Sequence, residues 1–167
     1  MEPTQNEHPY ARLTPDLILR ALESAGFVCD GRLLALNSYE NRVYQIGIED
    51  SPPVIAKFYR PGRWSKQAIL EEHAFSQELA AQEIPVIAPV TDEHGESLHE
   101  LEGFLFAAYP RCGGRWPDLD TKAQRQQMGR FLGRMHAIGA TRHFQHRNRL
   151  DIATLGDASR RFVLEEK

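Results

Sequence analysis

Lys57 sits inside VIAKFY, residues 54–59, a run of apolar and aromatic residues that reads as a buried strand. An ammonium group in such a strand is costly unless something compensates it. Side chains alternate along a strand, so Lys57 points the same way as Ile55 and Tyr59. The helix that follows offers two acids, Glu71 and Glu72, and helical spacing separates them. Ala68, Glu72, Phe75 and Leu79 share one face, otherwise apolar, which must look at the sheet; Gln67, Glu71, Ala74 and Glu78 form a wetter face that leaves Glu71 in solvent. Glu72 is therefore the acid turned inward with Lys57. A buried pair of this kind is a poor stability device, because apolar residues often serve as well. It is better explained by a task, and an ammonium oriented by a carboxylate is suited to holding phosphate.

The elements that must place this pair can be read from pattern and punctuation. RLLALNSYENRVYQIGIEDSPPVIAKFY gives three strands, near 32–36, 42–48 and 54–59, joined by the short turns NSYEN and EDSPP and hence antiparallel neighbours. Before them, TPDLILRALESAGF is a helix with Thr14 as cap, Pro15 at its first position and Gly26 as stop. After them, RWSKQAILEEHAFSQELAAQ is a helix capped by Ser65. IPVIAPVTDEHGESLHELEGFLFAAYP supplies three more strands, around 86–90, 96–100 and 103–109, with DEHGE as a hairpin turn. Past the CGGR loop, DTKAQRQQMGRFLGRMHAIG is a helix from Thr121 to Gly139, with Met128, Phe131, Leu132, Met135 and Ile138 on one broad face. The remainder is basic and irregular, then weakly helical from Asp157. The fold class is α+β, an antiparallel sheet with flanking helices.

Bulk properties narrow the function. The 167 residues suffice for one domain with a core, and 41% hydrophobic against 26% charged residues describes a globular chain. No apolar run is long enough to span a membrane, and the polar N-terminus MEPTQNEHPY lacks a signal-peptide core. Cys29 and Cys112 show no metal or redox spacing and suit a reducing cytoplasm. Residues 1–110 carry a net charge of −9 and residues 111–149 one of +7. The basic block reads as a solvated helix face beside a neighbouring piece of protein; HFQHRNR, with one aromatic residue, is too thin a stacking platform for nucleic acid. HGESLH, residues 94–99, lies in the predicted hairpin turn and has Glu96 where a catalytic motif would need Asp.

LNSYENRVYQI, KFYRPGRW, ILEEHAF, GFLFAAYP and GRFLGRMH, in this order and spacing, resemble the aminoglycoside-phosphotransferase-like kinases, and among them the bacterial serine/threonine protein kinases of the stress response. The match runs from Leu13 to Arg149. The resemblance implies a protein-kinase-like N-terminal nucleotide-binding lobe and hinge over 1–110, and over 111–167 the start of a helical C-terminal lobe with its first helix. It implies ATP-dependent phosphoryl transfer with Mg²⁺, to a Ser/Thr of a protein or, in the alternative, to a small alcohol of the aminoglycoside, choline or homoserine type. Lys57 would contact the ATP phosphates and Glu72 would hold it. NSYEN would be the nucleotide-covering loop, without the glycines of ordinary protein kinases, and Ser38 and Asn41 its contacts. FAAYP, residues 106–110, would be the hinge, with the adenine bonding to backbone near Ala108 and Tyr109. His136 would be a packing residue; Trp64 would pack the turn before the second helix, and Trp116 the mouth of the cleft.

In this family the catalytic Asp and the metal ligands come from an HGDxHxxN segment and a later Asp, both C-terminal to GRFLGRMH. The chain holds neither, so no catalytic residue and no metal ligand is assigned within it. The expectation is the front portion of a longer cytoplasmic, monomeric enzyme, inactive alone and self-associating through the uncovered face of the GRFLGRMH helix. A non-catalytic binding module built on a lone N-terminal lobe is the rival from another class.

Overall fold

The computed structural model describes residues 8–165; the polar stretch 1–7 and residues 166–167 lie outside the described residues. A five-stranded antiparallel sheet has the order β1 (Cys29–Leu36), β2 (Arg42–Ile48), β3 (Ser51–Phe58), β5 (Phe104–Pro110), β4 (His99–Leu101). The first three strands form a meander, as their short turns require. The β2–β3 turn puts Asp50 at φ 51°, and the β4–β5 turn puts Glu102 and Gly103 at 48° and 83°, the left-handed backbone that two-residue hairpins need.

β3 begins earlier than its apolar run, at Ser51, and includes Pro52 and Pro53. The prolines are tolerated because β5 pairs with β3 only from Val54, opposite Pro110, onward. The run 86–90 is not a strand, contrary to the sequence expectation. Pro85 and Pro89 remove two donors, and one backbone bond, from the Val90 amide to the Ala108 carbonyl at 2.8 Å, ties it to β5. DEHGE does turn, with the Asp92 carboxylate accepting from the His94 and Glu96 amides at 2.9 and 2.8 Å, but it joins no two strands of the sheet.

Helices flank both faces. α1 (Pro15–Ser24), capped by Thr14 through the Leu17 amide, buries Leu17, Ile18, Ala21 and Leu22 against Ile46, Val54, Ala56, Phe58, Phe104 and Phe106. Each valine, leucine, isoleucine or phenylalanine among them removed from water is worth about 1.5–3 kcal/mol, and the alanines less. α2 (Lys66–Ala81), capped by Ser65 through the Ala68 amide, lies on the other face with Tyr59, Ile69 and Ala107. α3 (Lys122–Gly139) opens on a Thr121–Gln124 capping box and buries no residue completely; Met128, Phe131, Met135 and Ile138 are half-covered and Leu132 is exposed. A π-helical turn, Ala153–Asp157, leads into α4 (Ala158–Glu165). Trp64 is half-buried in the turn before α2, whereas Trp116 is 89% exposed and lies by the start of α3. His136 is exposed on α3 instead of packed. Among the described residues no helix is long and apolar enough to cross a membrane.

Candidate active site

Lys57 stands on the central strand β3, between Val43 of β2 and Ala107 of β5. The strand alternation turns it away from the α1 core and toward α2, and its Nζ donates to Glu72 Oε1 at 3.2 Å. Both side chains are partly covered. The ammonium also lies 4.6 Å from the centre of the Tyr59 ring. Burial, aided by the nearby Arg147 guanidinium, lowers the Lys57 pKa from the ordinary lysine value. The group is thus poised to gain from a polyanion that would restore a favourable environment for its charge.

Around the pair is a cleft of about 300 Å³. Val43, Ile55, Ile87 and Tyr109 give it apolar walls, Pro110 and Cys112 line it where β5 ends, and Lys57 is the one cation among its lining residues. Apolar walls and a single oriented ammonium are what a flat base joined to a chain of phosphates requires. The residues therefore fit a nucleotide. No group of three or more His, Cys, Asp or Glu among the described residues could hold a metal ion.

The loop between β1 and β2 is ordered by its own side chains. Ser38 Oγ donates to the Asn41 carbonyl at 2.8 Å, and Asn41 Oδ1 accepts from the Arg60 amide at 3.3 Å. Glu40 anchors the loop from outside, accepting from Arg63 Nε at 3.2 Å and Trp64 Nε1 at 3.3 Å, while its carbonyl accepts from the Tyr10 hydroxyl at 2.9 Å. Of the predicted hinge residues, Ala108 is buried in β5 opposite Ala56, with its carbonyl engaged by Val90; Tyr109 stands opposite Ile55 and its side chain enters the cleft.

The structure adds two residues that sequence reasoning missed. His73, 1% exposed, shares a hydrogen bond with the Tyr59 hydroxyl at 2.7 Å through Nε2 and with Ser97 Oγ at 2.9 Å through Nδ1. The Tyr59 hydroxyl also meets that of Tyr109 at 3.1 Å. Burial holds His73 down at about 4 and pushes both tyrosines above their ordinary value, so all three are neutral near pH 7. The signal for His73 was its place one turn after Ile69, on a second inward stripe of α2. The other missed residue is Arg147, which ion-pairs with Glu72 Oε2 and lies 4.4 Å from the centre of the Trp64 ring.

Glu71 is not in solvent, and this corrects the sequence reading. Its carboxylate accepts from the backbone amides of Gln145, His146 and Arg147, the last two at 2.8 and 3.0 Å, and these bonds hold its pKa below the usual carboxylate range. Residues 142–147 engage part of the face expected to be wet: Arg142 pairs with Glu78, while Gln67 and Ala74 stay exposed, and beside that face Phe144 meets Phe75 edge-on at 5.4 Å. Part of the opposition between acidic and basic halves is therefore resolved within the chain.

Comparison with known proteins agrees with the fold. The chain is 46% identical over 138 residues to stress response kinase A of Escherichia coli strain K12, and 42% identical over 148 residues to serine/threonine protein kinase RdoA of Salmonella typhimurium strain LT2. These matches take in 83% and 89% of the chain but only 42% and 45% of the relatives, so it spans less than half of their length. Among solved structures, amicoumacin kinase hAmiN, in complex with AMP-PNP, Ca²⁺ and Ami, superposes with a TM-score of 0.64 at 23% identity over 83% of the chain and 44% of its own. A microcompartment-associated aminopropanol kinase superposes with 0.66 at 19% identity over 87% and 48%. Both share the fold. The family model for phosphotransferase enzymes (APH) matches residues 32–165, from the first strand through the last helix, and the chain belongs to that phosphotransferase enzyme family.

Proposed function

We propose that this chain is the nucleotide-binding portion of an ATP-dependent phosphotransferase, with Lys57 taking the phosphates and Glu72 fixing its direction. The observation that carries this is the 3.2 Å Lys57–Glu72 pair, held at the side of an apolar-walled cleft. Phosphoryl transfer relies mainly on positioning and electrostatic stabilisation, and an oriented ammonium supplies both. Ser38 and Asn41 shape the loop that would cover the phosphates. The base would meet the chain at the end of β5, near Ala108 and Tyr109. For the whole protein the proposed reaction is transfer to a Ser or Thr hydroxyl of a protein in a stress response, supported by the relatives' names at 42–46% identity. Mg²⁺ would be held by residues of an HGDxHxxN segment and a later Asp, neither of which lies in residues 1–167.

The test is calorimetric titration of the chain with AMP-PNP. Wild type should bind, and Lys57→Met should bind at least tenfold more weakly while melting no lower. Equal binding by the two chains would remove the phosphate role of Lys57. With radiolabelled ATP, the 167 residues alone should label neither themselves nor a generic protein substrate. Labelling that Lys57→Met abolishes would show that the chain carries its own catalytic groups.

A further inference from the structure

We propose that Arg147 is a positioning residue of the nucleotide site: it fixes the carboxylate that orients Lys57, and Trp64, tied by Glu40 to the loop between β1 and β2, provides its seat. The inference rests on the phosphate role proposed for Lys57 and adds a residue from far along the chain.

The two oxygens of Glu72 have separate partners. Oε1 accepts from Lys57, and Oε2 forms an ion pair with Arg147. A glutamate on a helix has three rotatable side-chain bonds, and one ammonium, itself at the end of a flexible stem, constrains them poorly. A guanidinium on the second oxygen gives the carboxylate a second charged anchor, so that both of its oxygens are held from different directions. When phosphates draw on the protons of Lys57, Glu72 then keeps its direction instead of following the ammonium.

Arg147 is in turn held from two sides. Its guanidinium lies 4.4 Å from the Trp64 ring centre, and the Trp64 indole donates to Glu40 at 3.3 Å. Glu40 is in the loop that precedes β2, whose Val43 lines the cleft. The backbone amide of Arg147 donates to Glu71, the neighbour of Glu72. The strap 142–147 runs antiparallel to α2, Arg142 to Glu78, Phe144 to Phe75, and residues 145–147 to Glu71 and Glu72. Arg147 therefore links the covering loop, the helix and the phosphate-binding lysine in one set of contacts.

The experiment is a double-mutant cycle on AMP-PNP affinity in the 167-residue chain, with thermal melts to establish folding. Arg147→Ala should weaken binding about tenfold, and Arg147→Lys, which keeps a cation over Trp64 and one bond to Glu72, should recover most of that. Glu72→Gln should weaken binding by at least as much. In the Glu72→Gln background Arg147→Ala should add less than about twofold, because groups acting through one another are not additive. A strap that merely stabilises the fold would lower the melting temperature and give additive losses; that result overturns the proposal. If wild type binds and Arg147→Ala matches it, this inference alone fails. If wild type binds no better than Lys57→Met, the phosphate reading fails and takes the inference with it.

Discussion

The two faces of the sheet are built from the same strands and to opposite specifications. Val54, Ala56 and Phe58 point to the α1 side and meet hydrocarbon, with Phe58 stacked on Phe106 at 5.3 Å. Ile55 and Lys57, between them, point to the α2 side, where Tyr59, His73, Ser97 and Tyr109 form a connected hydrogen-bonded set and Lys57, lying by the Tyr59 ring, pairs with Glu72. Among the described residues no buried side-chain nitrogen or oxygen lacks a partner. The first face supplies stability through area removed from water. The second uses hydrogen bonds whose net worth is smaller and whose directionality is greater. A single strand can thus wall a core and mount a site, one residue apart.

The largest test of that division is Phe58→Ala. It should cost about 3–5 kcal/mol by urea or thermal unfolding, as expected for a fully buried phenyl ring, without changing AMP-PNP affinity in the chains that remain folded. A comparable loss of nucleotide affinity would mean that the faces are not separable. His73 sharpens the second face. Its folded pKa, about 4, lies below the ordinary 6.5, so between those values the unfolded chain binds a proton that the folded chain refuses. The contribution is complete above pH 6.5 and falls as pH falls toward 4, by about 3 kcal/mol in all. Denaturant midpoints measured from pH 7.5 to 4 should show that slope, and His73→Gln should flatten it. The smallest effect is expected from Glu71→Gln. Amide exchange should quicken at Gln145, His146 and Arg147, and AMP-PNP affinity should fall by less than in Arg147→Ala. Unchanged exchange would restore the solvent reading of Glu71.

Most of the first face was legible in the sequence, because periodicity, caps and turns are local signals. Thr14, Ser65 and Thr121 cap as their types and places require. The run 86–90 misled because its apolar content outweighed Pro89 within it and Pro85 before it, which matter only once a neighbouring strand needs donors. Lys57 and Glu72 could be paired because strand and helix spacing each select a face. Glu71 could not be read correctly, because a helical wheel gives the faces of a helix and not what later docks on them. The partner was an irregular segment whose six-residue strap has no period to detect. Arg147 was hidden for the same reason, inside HFQHRNR, where its neighbours suggested only charge.

The strap also dates the site. The meander β1–β2–β3 closes over short turns, while the bonds from Glu71 and Glu78 to residues 142–147 join positions 64 to 76 apart in the chain. Distant closures carry the larger entropy and form late, and a nascent chain releases its N-terminal elements first. During synthesis the β1–β2–β3 meander is therefore released before Arg147 is added to the chain. Until then the lysine that would hold phosphate stands on its strand without the arginine proposed to fix its carboxylate partner.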